Sequence, residues 1–191
     1  MGYTSEVGIC NLSLSWLGGN RITSLDDDTD EANLCVDNYE FSRDTVLEMR
    51  NWTFATSRVK LNPLVEAPEF GFKFKCVLPP ECIRVIQAST DPDFRYGIEW
   101  VREENLLLSN YPDPYIRFIK RMTDVTRFSP LFVKAMAAQL AADMAIPLTA
   151  SKKLMDAMMA RMDYFLEQAG GMDGTQGRNQ KLRATRLTGV R

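Results

Sequence analysis

The densest chemical signal in this 191-residue chain is the run Asp26-Asp27-Asp28-Thr29-Asp30-Glu31. Carboxylates packed this closely can hold a hard cation. A calcium loop, however, requires Gly at its sixth position and Glu at its twelfth. Counted from Asp26, those positions hold Glu31 and Asp37. The run therefore reads as the acidic start of a helix facing solvent. Cysteine chemistry is equally constrained. Cys10, Cys35, Cys76 and Cys82 include no C-x-x-C pair, and the chain contains no histidine. That composition excludes Ser-His-Asp and Cys-His catalysis and any Cys/His zinc site. The four thiols are expected to be free and buried.

A second pair of acids, Asp93 and Glu99, lies in the stretch PDFRYGIEWV at 92–101. Metal nucleases use a Pro-Asp followed by Glu-x-Lys, in which the lysine activates the nucleophile. Val101 occupies the lysine position here. No phosphate loop or dinucleotide fingerprint is present. The expectation is a protein that is not an enzyme, with no catalytic residue, no metal and no cofactor. The competing reading is a small metal-dependent nuclease or hydrolase working through Asp93 and Glu99, or through the acids at 26–31.

Charge is distributed unevenly. The segment 170–191, GGMDGTQGRNQKLRATRLTGVR, holds one acid and five bases for a net +4, whereas the whole chain is −2, leaving −6 on residues 1–169. Such a glycine-rich, polar segment cannot bury enough apolar surface to offset its ordering entropy. It is expected to be an extended arm over 171–191 that orders on a partner. The partner-binding candidates are Arg178, Lys181, Leu182, Arg183, Arg186, Leu187, Val190 and Arg191. Five cations permit modest non-specific contact with DNA phosphates, which leaves a regulatory DNA-binding protein as a third reading. No aromatic residue interleaves the cations, so bases have nothing to stack on.

Elsewhere the composition, 45% hydrophobic and 25% charged, is that of a soluble globular domain. No apolar run approaches the length of a membrane span. The start MGYTSEVGIC lacks the order of a secretory signal, and Glu6 stands where myristoylation needs Ser or Thr.

The elements follow from periodicity. Residues 5–17 fit either a helix or a strand, but a Thr4 or Ser5 cap, Glu6 in the first turn and Gly18-Gly19 beyond favour helix. A second helix starts near Asp30, with the stripe Ala32, Cys35, Val36, Tyr39, Val46 and Leu47 broken only by Arg43. Between about 53 and 128, prolines and short strand-like runs (FGFKFKCVL, CIRVIQAS, RYGIEWV, NLLLSN, YIRFIKR) predict a small antiparallel β unit. Helix returns at 131–146, capped by Ser129 with Pro130 at the first position, buried nearly all round and stopped by Pro147. The last helix, 151–168, ends at Gly170-Gly171. Methionines at helical spacing serve as core or interface filler. Met136, Met155, Met158 and Met162 are assigned to a subunit interface. The fold class is α+β, mainly α. A helical bundle (1–52 plus 129–170) comes from both ends of the chain, with a β insert (53–128) and an extended C-terminal arm (171–191). There is no internal repeat.

Several stretches together resemble the head–tail adaptor proteins of short-tailed bacteriophages, the tail tubular protein A family. Residues 11–61 are similar to the family's first helix and turn, its acidic "EA" helix start and its "RD.vL…..W.FA..R..L" passage. The last corresponds here to Arg43, Asp44, Leu47, Trp52, Phe54, Ala55, Arg58 and Leu61. An "LP.d..Rv" passage is matched by Leu78, Pro79, Glu81, Arg84 and Val85, and 132–154 completes the series. The resemblance covers roughly 6–166. It implies a helical bundle with a β insert, and a dodecameric ring between the portal protein and the tail nozzle (tail tubular protein B). Genomic DNA would pass the lumen with only non-specific contact, and no membrane would be involved. It also implies a virion protein of the phage neck and tail, made in the host cytoplasm. An acidic body suits a channel that DNA must slide through, because like charge suppresses phosphate contacts.

Overall fold

The computed structural model describes residues 5–176, with side chains through residue 170. Its order is α1 (Glu6–Leu17), α2 (Asp30–Met49), β1 (Thr56–Lys60), β2 (Phe74–Val77), β3 (Cys82–Ser89), β4 (Trp100–Glu103), β5 (Leu106–Ser109), β6 (Tyr115–Lys120), α3 (Pro130–Thr149) and α4 (Lys152–Gln176). Four helices and two small antiparallel sheets make it mixed α+β with helix dominant.

Helix α3 explains the bundle. Ser129 accepts from the Phe132 amide and Pro130 fills the first turn, so the helix starts where its orphan donors are satisfied. From Phe132 to Ala145 only Lys134 and Asp143 are exposed. A helix apolar on every side must be covered on every side, and α1, α2 and α4 all pack against it. Its alanines (135, 137, 138, 141, 142, 145) are all buried, so neighbouring backbones approach closely. Its length and apolar composition alone suffice to cross a membrane, contrary to the reading that no run does so, but two-thirds of that stretch is buried inside the fold. Pro147 does not stop the helix, which runs on to Thr149 and ends at Ala150 in the left-handed region (φ 52°). The proline costs one backbone bond in the last turn. In the same turn Thr149 Oγ1 donates to Ala145 O at 2.5 Å.

The other helices match their cap signals. Ser5 caps α1 by accepting from Gly8, and Gly18 closes it at φ 76°. Thr29 caps α2. The apolar stripe of α2 needs correction: Val36 is half exposed, while Arg43 is buried at 3% exposure. Burial works against the Arg43 charge, yet Asp44 (2.9 Å) and Glu40 (3.3 Å) hold its pKa raised. A buried cation is tolerated because it is paired. Helix α4 passes through Gly170-Gly171 to Gln176, so 171–176 are helical rather than an extended arm. At Gly170 a Cβ would collide with the Arg50 guanidinium, which donates to Leu166 O. That glycine provides a close approach, not a helix stop.

The β insert contains two three-stranded sheets, ordered β1-β6-β3 (sheet A) and β2-β5-β4 (sheet B), antiparallel throughout. Strand β1 was absent from the strand-like runs read off the sequence, and RYGIEWV supplies only the start of β4. Sheet A offers Ile119, Ile83 and Ile86 to the bundle core. Ile116, Phe118 and Val85 join Cys76 and Leu107 of sheet B in a second core.

An aromatic cluster locks insert to bundle. Phe132 of α3 makes edge contacts with Trp52 (5.0 Å), Phe54 (5.1 Å) and Phe128 (4.7 Å). The Trp52 indole N–H donates to Val46 O at 2.8 Å. Around it, Arg84 donates to Glu48 O (2.9 Å) and Asn51 Oδ1 (2.7 Å), and Arg121 pairs with Asp44 at 2.7 Å. We expect Phe132→Ala to lower unfolding free energy by about 3–5 kcal/mol. Chemical denaturation checks this; a loss below about 1 kcal/mol would show that the cluster is not the lock.

Candidate functional site

The acidic run ties down the connection between α1 and α2. Asp27 accepts from the Thr23 amide (2.7 Å) and Ser24 amide (3.1 Å), and these amides, Ser24 first, hold its carboxyl below the usual range. Glu31 accepts from the Asn20 side-chain amide at 2.8 Å; its own backbone amide and then Asn20 lower its pKa. No cluster of three or more metal-ligating acids or thiols occurs among the described residues.

Asp93 and Glu99 are exposed. Asp93 pairs with Arg95 at 2.7 Å, and the structure brings no second carboxylate into that pairing. The loop that carries Asp93 is organised by a different acid. Asp91 accepts from the amides of Asp93 (2.8 Å), Arg95 (3.0 Å) and Tyr96 (3.2 Å). Desolvation opposes its charge, but these three donors prevail and its pKa is lowered. The Ser89 hydroxyl donates to Tyr96 O at 2.6 Å and accepts from the Asp91 amide at 3.1 Å. The consequence is local strain: Phe94, a bulky residue, is held at φ 58°.

The cysteines are free and buried. Burial pushes the Cys76 and Cys82 thiols up, and a contact with the Cys35 thiol, reinforced by burial, raises Cys10. The same contact lowers Cys35, but that side chain is wholly buried and donates to the Met144 sulfur at 3.8 Å. Neither member of the pair is an accessible thiolate.

The subunit-interface assignment is corrected for three of its four methionines. Met136, Met158 and Met162 are 0%, 6% and 4% exposed within a single chain. They fill the bundle core, because α3 and α4 face each other along these positions. Met155 is half-buried at its edge. The arm residues Arg178, Lys181, Leu182, Arg183, Arg186, Leu187, Val190 and Arg191 lie outside the described residues.

Two features were not found from the sequence. The first is a cleft of about 480 Å³ on the bundle, lined by Trp52, Thr53, Pro130, Leu131, Tyr164 and Phe165 among others. Lys134 stands at this cleft with its amine 5.5 Å from the Phe165 ring centre. The second is the loop between β1 and β2, where Val65 is fully exposed and Phe70 is 86% exposed. Its base is pinned by the Leu64 amide on Lys75 O (2.8 Å), and its tip turns at Gly71 (φ 85°), with Phe72 N donating to Phe70 O at 3.1 Å. Neither a cleft assembled from 52, 130 and 164 nor side-chain exposure in a turn has a sequence period. A comparison of the chain with family models and with curated proteins finds no match to either.

The lowered carboxylates define a pH dependence. A group whose folded pKa is depressed contributes stability above its unfolded pKa and loses it as pH falls through the folded value. Asp27, Glu31 and Asp91 should therefore leave stability flat near neutrality and cut it as pH drops below about 4. An Asp91→Asn variant should flatten part of that acid limb in urea melts taken across pH. An unchanged limb would show that the Asp91 contacts are not formed in solution.

Proposed function

We propose that this chain is a structural subunit of a ring that joins a phage portal to its tail nozzle, with DNA passing through the lumen. The reading rests on the resemblance to the tail tubular protein A family, and one observation supports it best: an apolar cleft and an exposed apolar loop flank β1 along the chain. Trp52 and Thr53 of the cleft precede the strand, and the exposed loop 62–73 follows it. Five strand residues separate them by roughly 16 Å. The cleft lies on the bundle, whereas the loop belongs to the β insert.

A projecting apolar loop and a separate apolar recess are the parts of a head-to-tail contact, which closes into a ring when the rotation per subunit allows. The chemistry agrees. The loop carries Glu66 and Glu69, of which Glu69 has no ion pair among the described residues, and the cleft presents Lys134. The loop tip is already turned, so little ordering entropy opposes docking. In this reading the C-terminal basic residues meet the portal, and the ring has the dodecameric order that the resemblance implies. The virion neck is its location.

Sedimentation of purified protein tests the contact. Phe70→Ser and Tyr164→Asp change exposed side chains and should leave the fold intact, while each weakens self-association roughly thirtyfold or more. Copies with Phe70→Ser keep the cleft, and copies with Tyr164→Asp keep the loop. Mixed together they should form one-to-one pairs and nothing larger. Variants that associate like the wild type would remove the loop-in-cleft contact. A wild type that stays monomeric both alone and with portal would remove the ring itself.

A further inference from the structure

We propose that Arg58 and Arg117, gathered around Phe94 on sheet A, form an oxyanion site that takes a phosphate group. The inference is independent of the ring reading.

Arg58 of β1 and Arg117 of β6 are direct cross-strand partners. Alternation along the strands puts them on the same face of sheet A as the pair Thr56 and Ile119. Like charges placed opposite each other on a sheet are destabilising unless something neutralises them. Nothing among the described residues does so: neither arginine forms a salt bridge there. Asp113 is bound to Lys60 at 2.5 Å, and Asp93 to Arg95. The Arg117 Nε is buried and has no hydrogen-bond acceptor. A buried unsatisfied donor is uncommon enough to need a cause, and an ion is one of the few.

Phe94 is the third observation. Its ring lies 5.7 Å from the Arg58 guanidinium carbon and 4.9 Å from that of Arg117. Cation–π contact accounts for where the two cations sit, but it satisfies no N–H group. The ring reaches this place only because Asp91 collects three amides and holds Phe94 in the left-handed region. Strain of this kind persists where surrounding structure over-determines it, and it clusters at sites that bind. Gln87, opposite Arg117 on β3, adds an amide with no hydrogen-bond partner among the described residues.

The donor set selects the ligand class. A carboxylate is planar and saturates one guanidinium fork with one charge. Two guanidiniums from adjacent strands offer donors from two directions and two positive charges. A tetrahedral phosphate, with more oxygens and more charge, answers both. Free phosphate and the phosphodiesters of a nucleic-acid backbone share this chemistry.

Arginine Nε–H resonances of the full chain, followed by ¹H–¹⁵N NMR, test the site directly. Sodium phosphate added at constant ionic strength against chloride should shift the Arg117 Nε–H signal. Arg58→Gln, an exposed change, should weaken that response roughly tenfold, and Arg58→Lys by less. A second arm uses a short fluorescent DNA duplex read by anisotropy. Duplex binding that Arg58→Gln weakens, and that phosphate displaces, assigns the site to a nucleic-acid backbone. A response to inorganic phosphate alone assigns it to small phosphates. If neither probe moves the Arg117 signal, or if Arg58→Gln responds like the wild type, the site is not an oxyanion site.

Discussion

The fold depends on covering one helix. Helix α3 presents apolar side chains in every direction, and its alanines allow three partners to come within backbone-packing distance. The chain meets this demand from both ends of its sequence, with α1 and α2 from the start and α4 from the end. The β insert must therefore leave and re-enter the bundle at neighbouring points. It does so at the Trp52–Phe54–Phe128–Phe132 cluster, where the exit (52–54) and the return (128–132) stack on each other. Everything projecting from the insert is oriented by that contact, including β1 and the loop beyond it.

Covering α3 internally also fixes which surface remains for partners. Three of the four methionines that looked available for an interface are used up inside the chain, because α4 lays Met158, Met162 and Phe165 against α3 in the bundle core. What remains apolar and exposed includes the ordered loop tip at Val65 and Phe70 and the cleft beside Tyr164. On sheet A the exposed chemistry is cationic. Lys60 and, in the adjoining loop, Arg95 are neutralised locally, whereas Arg58 and Arg117 lie over Phe94 without a counter-charge among the described residues.

Much of the architecture was legible in the sequence because it rests on local rules. Ser5, Thr29 and Ser129 cap helices where their side chains can accept an amide, and Gly18 closes α1 in the left-handed region. CIRVIQAS is β3, residue for residue. The failures were tertiary. Gly170 looked like a helix end but makes room for Arg50, and Arg43 looked like a break in an apolar stripe but is buried and paired with the half-buried Asp44. Pro147 sits in a last turn that Thr149 helps to close. Strand β1, TSRVK, has too few apolar residues to announce itself, and it exists because β6 pairs with it. The cleft and the Arg58–Arg117 pair were invisible for the same reason, since cross-strand register and helix packing bring together residues far apart in sequence.

In the proposed ring, α3 is satisfied within one chain and subunits meet through the loop and the cleft instead. Amide hydrogen exchange on the full chain, compared between dilute monomer and the concentrated assembled state, measures this most directly. Helix α3 from 135 to 145 should exchange slowly in both states. New protection on assembly should appear at 64–73, 129–131 and 164–169. Rapid exchange of α3 in the monomer, or new protection concentrated along the methionine positions 155–162, would contradict it.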